Sequence, residues 1–213
     1  MIVKKVPLYH LFATYAYFYI DEKSKHGFLI DPASQADKLL EIIKENDWTI
    51  EKILITHGHF DHIGAVEELH QTLGIPYYIY QSGADYLKDV SLNLSTMGEK
   101  AISLDGATLL NDGDEVVLEA NPQICLKVIH TPGHTTDSAT YYDENNKIAF
   151  VGDTIFKASV GATHFPGGNM AQLKDSIFNK IFMFPDEAVL YSGHTDETTV
   201  GVEKARYKSS FPF

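Results

Sequence analysis

The sequence predicts an α/β protein in which two β-sheets pack face to face and helices cover their outer sides. Strand-like apolar runs fall into two groups joined mostly by hairpin turns, and helix-periodic segments are interleaved with them. No repeat, low-complexity tract or Pro/Gly/Ser-rich linker divides the 213 residues, which are 44% hydrophobic and 22% charged, so residues 1–213 read as one domain with a sizeable core.

In chain order, "VPLYHLFATYAYFYI" (6–20) reads as a strand pair, being rich in Tyr, interrupted by His10 and Thr14, and without the small-residue cleavage site of a signal peptide. After Asp31-Pro32, the residues Ala36, Leu39, Leu40 and Ile43 recur at i, i+3, i+4 and i+7, one face of a helix ending near Asn46. "KILIT" (52–56) is a continuous apolar strand suited to burial on both faces. A second helix is expected over Ile63–Leu73, stopped by Gly74 with Pro76 beyond, and "YYIY" (77–80) follows as a strand. Residues 84–103 are the least regular and read as a loop or lid. "EVVLEA" (115–120) and "ICLKVIH" (124–130) are joined by Asn121-Pro122, and "SATYYD" (138–143) and "KIAFVG" (147–152) by Asn145-Asn146, which builds the second strand group. Met170, Leu173, Ile177 and Ile181 mark a third helical face, "EAVLYSG" (187–193) closes the strand set, and Thr198–Tyr207 reads as a last helix.

Composition narrows the partners. Seventeen Lys and Arg against 29 Asp and Glu leave a net charge of −12, with no basic cluster longer than Lys4-Lys5. Nucleic acid and anionic membranes both require a positive face, so neither is expected and the partner is a small-molecule substrate. Cys125 is the single cysteine, so no intramolecular disulfide can form and a reducing, cytoplasmic setting is expected. It sits between Ile124 and Leu126 in a strand-like run, which predicts core packing rather than a nucleophile.

The chemistry gathers where strands end. "ITHGHFDHIGA" (55–65) places His57, His59, Asp61 and His62 directly after an apolar run. His57 and His59 are two apart, so in extended backbone their rings point the same way and can grip one ion. Three later strand ends add His134 in "HTPGHTTDS", Asp153 in "FVGDTIF" and His194 in "YSGHTDETT". Seven candidate ligands, five imidazoles and two carboxylates with no thiolate, suit zinc, iron or manganese and exceed what one tetrahedral ion needs. Two adjacent ions sharing a carboxylate would use them all. Taken singly, each histidine reads as structural and Asp61 as a helix N-cap; jointly the pattern reads as a metal centre. Thr131, Pro132 and Gly133 serve the turn that aims His134. Asp137 and Ser138 read equally as support for the ligands or as a solvated turn. His10, His26, His70 and His130 match no motif, with His70 expected on an exposed helix face and His130 packing or capping a strand end. The pairs Tyr77-Tyr78 and Tyr141-Tyr142 read as strand residues.

The H-x-H-x-D-H run, the T-P-G-H-T, the V-G-D-T and the late S-G-H resemble, in order, the motifs of the metallo-β-lactamase-fold hydrolases, in particular the glyoxalase II-like branch. The resemblance runs from Asp31-Pro32 to Phe213. It implies a four-layer αββα sandwich with two divalent metal ions at one edge, zinc first, iron or manganese as alternatives. It assigns His57, His59 and His134 to one ion, Asp61, His62 and His194 to the other, and Asp153 to the bridge, with Asp61 also placed to accept a proton. The nucleophile it implies is a hydroxide drawn from water shared by the ions, and a thioester, whose thiolate leaves readily, suits such a site. The same fold hosts several chemistries. A mononuclear-iron persulfide dioxygenase, a lactone metallohydrolase, a metal-binding protein without catalysis and a β-lactamase are the other readings, the last lacking a secretion signal.

Two departures bear on substrate. The helical region that binds glutathione in glyoxalase II proper is not found after His194, where the chain soon stops. Relatives often read G-R-T-D-F-P-G-G where this sequence reads "GATHFPGG", with Ala162 and His164 at the Arg and Asp positions. A cation for an anionic carrier is therefore missing there, leaving His164, or Lys157 nearby, as the substrate-binding candidates, with residues 84–103 expected to shape the acyl pocket.

Overall fold

The computed structural model describes residues 1–9, 11–98 and 100–207; His10, Glu99 and residues 208–213, including the Phe213 to which the resemblance extends, lie outside them. The first half of the chain builds one sheet from β1 (Ile2–Tyr9), β2 (Ala13–Ile20) and β3 (His26–Ile30), then α1 (Ala36–Glu45), β4 (Thr49–Ile55), α2 (Phe60–Ile63), α3 (Val66–Leu73), β5 (Tyr77–Tyr80), α4 (Gly83–Lys88) and β6 (Thr108–Leu110). Its six strands lie side by side in sequence order, the first three antiparallel and β3 to β6 parallel. The second half adds β7 (Glu115–Val117), β8 (Cys125–His130), β9 (Ala139–Asp143), β10 (Ile148–Gly152), the hairpin β11 (Ile155–Phe156) and β12 (Ser159–Val160), α5 (Met170–Asn179), β13 (Val189–Ser192), β14 (Thr198–Thr199) and α6 (Val200–Tyr207). This second sheet runs β14-β13-β10-β9-β8-β7, antiparallel except for the parallel β10/β13 pair.

The two-residue period of the strands sorts their side chains into three apolar layers. From β2, Phe18 and Ile20 turn outward with Ile53 and Ile55 of β4 to meet Leu39 and Ile43 of α1 and Val66 and Leu69 of α3. Tyr17 and Tyr19 turn inward with Leu54 and face Leu126, Val128, Tyr141 and Phe150 of the second sheet. On that sheet's far side Tyr142, Ala149, Val151 and Leu190 cover Leu173 and Ile177 of α5 and Val200 and Tyr207 of α6. Helix, sheet, sheet, helix is the predicted αββα order, and it makes the β4 run apolar on both faces.

The structure departs from the sequence expectations in places. The helix expected from Ile63 to Leu73 is broken: Ala65 N–H donates to Pro32 O at 2.9 Å, so the chain turns between α2 and α3 to stay against the 32–33 segment. Within 84–103, expected to be a loop or lid, α4 and a 3₁₀ turn at Ser95–Met97 are anchored by fully buried Asn93. The Asn93 side-chain amide donates to Tyr86 O at 3.0 Å and Ile102 O at 2.9 Å, and its own carbonyl accepts from Phe60 N–H at 2.8 Å. Thr198 and Thr199 form β14, so the last helix begins only at Val200. Met170–Asn179 is helical as expected, and Ile181 lies beyond it in a 3₁₀ turn. Cys125 is half-buried, with Leu126 and Val128 as the core residues of β8. His70 is half-buried rather than on an open face: its Nδ1 donates to Ile75 O at 2.7 Å and its ring meets Tyr77 edge-on. His26 pairs with Glu51 at 2.9 Å, and His130 stacks on Tyr80 with 4.0 Å between centroids.

Gly133 ties the second sheet to α5. Its φ is 138°, and a Cβ there would lie 2.3 Å from the backbone of Leu173. Gly133→Ala is expected to cost about 2 kcal/mol or more through strain and displacement of α5. Melting followed by circular dichroism should drop by roughly 4–8 °C for a chain of this size; an unchanged midpoint refutes the close packing as a constraint.

Candidate metal centre

Four segments deliver the seven candidate ligands to one edge. Beyond β4 the chain bends at Thr56 and His57, His59 is extended at φ −66° and ψ 146°, and α2 then starts, so His57 and His59 project from the short connection and Asp61 and His62 from the first helical turn. The 131–138 turn carries His134, the end of β10 carries Asp153 and the end of β13 carries His194. Hydrogen bonds between the sheets, Ala139 N to Thr56 O at 2.8 Å, Tyr141 Oη to Ile55 O at 2.9 Å and Tyr17 Oη to Ser192 O at 2.6 Å, and one within the second sheet, Gly193 N to Gly152 O at 3.0 Å, hold these ends in register.

All seven come together, in overlapping groups. His57 Nε2 and His134 Nε2 lie 3.2 and 3.0 Å from His59 Nδ1. On the other side His194 Nε2 is 3.4 Å from Asp61 Oδ2 and His62 Nε2 is 4.0 Å from it. Asp153 stands between: Oδ2 is 3.1 Å from His194 Nε2 and 3.6 Å from His134 Nε2, and Oδ1 is 3.5 Å from His62 Nε2. Ligand atoms on a tetrahedral ion with nitrogen arms of 2.0–2.1 Å are roughly 3.3–3.4 Å apart. The imidazole triad has nearly that spacing. His62 Nε2 and Asp153 Oδ1 are buried and make no hydrogen bond, though they face each other. Buried polar atoms ordinarily find partners, so this donor set fits a cation between them.

Each ring but one is oriented from behind. His62 Nδ1 bonds Asp31 Oδ2 at 3.0 Å, His134 Nδ1 bonds Ala162 O at 2.6 Å, His194 Nδ1 bonds Ala13 O at 2.8 Å, and His57 Nδ1 bonds Thr56 Oγ1 at 3.2 Å. Acceptors at Nδ1 keep a hydrogen there, so Nε2 is the nitrogen each ring can offer to a cation. His59 is reversed: Nδ1 faces the cluster and Nε2 is buried without a partner, the ring being held edge-on by Tyr86 and Phe165.

Electrostatics divide the same residues. Burial, reinforced by neighbouring imidazoles, holds His57 well below the ordinary histidine range and His59 at about 3, and burial also lowers His134, so this triad is neutral. Burial also opposes charge on His62 and His194, but Asp153 and Asp61, with Asp31 for His62, outweigh it and raise them to about 9 and about 12. Burial opposes charge on the carboxylates too; His194 and His62 nevertheless draw Asp153 far below its usual range, and His62 with His194 lowers Asp61.

Asp31 and Thr14 escaped the sequence reading as supporting residues, and Asp137 stood as one of two open readings. Asp31 entered only as a helix boundary, yet it is buried at φ 48° and accepts from Thr56 N–H at 2.8 Å, Thr56 Oγ1 at 2.7 Å and His62. A left-handed conformation is rare outside glycine but tolerated by aspartate, and it marks Asp31 only once the structure is seen. Thr14 Oγ1 donates to Asp61 Oδ2 at 3.3 Å. Asp137 is fully buried rather than solvated; its Oδ2 accepts from Gly58 N–H at 2.8 Å, pinning the peptide between His57 and His59, and burial raises its carboxyl to about 6. The two substrate candidates sit outside the cluster. Lys157 is exposed and lies 3.7 Å from Asp196, which also binds Lys5 at 3.0 Å. His164 is exposed and packs on Phe165, and Phe165 is the ring that reaches His59 and His134.

An αββα sandwich with such a cluster at its edge is the architecture of a metal-dependent hydrolase. The chain belongs to the metallo-beta-lactamase superfamily, whose sequence profile matches residues 11–194. It is 36% identical to the probable metallo-hydrolase YqgX of Bacillus subtilis over 190 residues, 89% of this chain and 88% of that one. With the hydroxyacylglutathione hydrolase GloC of Haemophilus influenzae it shares 29% identity, covering 86% of each chain. Among solved structures, the B3 metallo-beta-lactamase BLEG-1 superposes with a TM-score of 0.89 at 33% identity over 96% of this chain and 97% of that one. TTHA1623 in a di-iron-bound form gives 0.83 at 28% identity over 99% of each. Among the described residues no helix is long and apolar enough to cross a membrane.

Two substitutions test the surroundings of the cluster. Asp31→Asn keeps size but offers His62 and Thr56 a weaker, half-donor partner, and is expected to weaken metal affinity about 10- to 100-fold in a chelator competition titration; unaltered affinity removes Asp31 from the orienting set. Gly193 has a second kind of constraint, since a Cβ would lie 2.3 Å from Asp153 Oδ1 and 2.6 Å from His62 Cε1. Gly193→Ala should leave the fold intact by circular dichroism while lowering the bound metal per chain measured by elemental analysis.

Proposed function

We propose that this chain is a dinuclear metal-dependent hydrolase of thioesters, with His57, His59 and His134 holding one ion, Asp61, His62 and His194 the other, and Asp153 shared. The observation that carries the reading is the position of Asp153, whose two oxygens lie 3.1 to 3.6 Å from ligand nitrogens of both groups. A mononuclear site leaves Asp61, His62 and His194 without a task, which favours hydrolysis over the single-iron dioxygenase reading. Zinc is the preferred metal on the donor set, all imidazole and carboxylate. Iron is the alternative, given that TTHA1623 has been seen in a di-iron-bound form.

Two bound divalent ions supply polarisation of a carbonyl and a water acidic enough to ionise near neutral pH. The remaining work belongs to the chain. Asp61 and Asp153 offset the cationic charge, Asp61 is placed beside His194 to take up a proton, and Asp31, Ala13 O and Ala162 O fix the ring orientations. A thiolate needs little general-acid help on departure, so the reading asks no further acid of the chain. GloC, a named thioester hydrolase, supports the substrate class at 29% identity. Glutathione itself suits the rim less well, because Lys157 is engaged with Asp196 and Ala162 supplies no cation.

Metal-loaded protein should contain about two ions per chain and hydrolyse a thioester panel, and chelation should abolish turnover until zinc is returned. Asp153→Asn removes one negative charge from the shared position and is expected to lose one ion and at least about 10²-fold in kcat. Two fully retained ions with unchanged turnover would falsify the shared role of Asp153.

A further inference from the structure

The chain between Asp153 and α5 brings two aromatic side chains to the centre, neither of them a metal ligand. Phe156, on β11, meets His194 edge-on at 5.9 Å between centroids. Phe165, in the loop after β12, meets His59 at 5.9 Å and His134 at 6.4 Å, both edge-on. Each ring is half-buried, with part of its surface left to solvent beside the ligand groups. They stand by different groups, Phe165 by the imidazole triad and Phe156 by the histidine paired with Asp61 and Asp153.

Three polar groups of the same excursion are already engaged. The Ala162 carbonyl accepts from His134, Lys157 N–H donates to Thr195 Oγ1, and the Lys157 ammonium lies by Asp196. His164 turns its ring against Phe165 at 4.1 Å. A hydroxylated or charged acyl group brought against these two rings loses water without gaining a hydrogen bond from them, whereas an apolar one loses nothing and covers exposed ring surface. Aromatic edges and faces add a preference for a planar ring in this range of separations.

We propose that residues 155–168 form a specificity wall, with Phe165 and Phe156 as its specificity-determining residues, and that the site selects thioesters whose acyl group is apolar, an aryl or medium-length alkyl chain, over small hydroxyacyl groups. This rests on the thioesterase reading above and goes beyond it in naming the acyl class. The hydroxyl of a hydroxyacyl group is disfavoured because the Phe165 and Phe156 rings offer it no acceptor comparable to water, while each added methylene gains roughly tenfold or more in discrimination.

Four thioesters of one small neutral thiol, N-acetylcysteamine, decide it: acetyl, D-lactoyl, hexanoyl and benzoyl. Benzoyl and hexanoyl should exceed lactoyl and acetyl in kcat/KM by about tenfold or more. Phe165→Ala should lower kcat/KM for benzoyl at least about tenfold more than for acetyl, with Phe165→Leu recovering much of the hexanoyl preference. Phe156→Ala should narrow the same ratio. A wild-type preference for lactoyl, or equal losses on all four substrates, overturns the wall. Turnover of none of the four sinks the thioesterase reading instead, and the wall is then judged by calorimetry on the metal-loaded protein with benzoate, hexanoate, acetate and lactate. Tighter benzoate and hexanoate binding that Phe165→Ala removes upholds the wall, and equal affinities refute it.

Discussion

The carboxylate of Asp31 is the interaction on which the rest of the site depends. It leaves β3 in a left-handed conformation and accepts from the Thr56 amide, the Thr56 hydroxyl and His62, joining the end of β3, the end of β4 and α2 through one buried charge. Thr56 passes the link on to His57 Nδ1, so two ligands on different elements are oriented from a single residue. Charge-assisted hydrogen bonds of this kind are stronger than neutral ones, and their burial among Leu54, Ile55 and Ile63 makes any alternative arrangement costly.

Around that anchor the protein keeps two electrostatic environments within a few ångströms. His57, His59 and His134 are desolvated and crowded by one another, which leaves them neutral with lone pairs converging. His62 and His194 lie against Asp61 and Asp153, which favour positive charge at those positions. A cation on either side meets groups already arranged for it, and the asymmetry follows from where the carboxylates stand rather than from the number of imidazoles.

Support reaches the ligands from outside the sheets as well. Asp137 holds the Gly58 peptide, Asn93 holds the Phe60 peptide at the start of α2, and Tyr86 of α4 packs its ring on His59 while its hydroxyl donates to Pro166 O at 3.2 Å. The segment 84–103 thus acts as a buttress. Through Tyr86 it also touches the Phe165 loop, so the residues that orient His59 and those that face an incoming acyl group are mechanically continuous.

The layered fold was legible in the sequence because a two-residue period and a 3.6-residue period each place apolar side chains on definite faces. Phe18 and Tyr19, or Tyr141 and Tyr142, could only point to opposite sides. The seven candidate ligands were legible because imidazoles and carboxylates at successive strand ends have no better structural explanation. Asp31, Asn93 and Thr14 were not legible, and Asp137 only as one of two readings: the partners of Asp31, Thr14 and Asp137 lie 25 to 79 residues away, and no local pattern marks an aspartate that accepts three hydrogen bonds differently from one that starts a helix. The break between α2 and α3 was hidden for the same reason, since it is made by Pro32 O and not by any residue of the helix. Sequence periodicity determines which face a side chain occupies; only the packing of distant segments decides which buried polar group it meets there, because desolvation leaves each such group dependent on partners that the chain supplies from elsewhere.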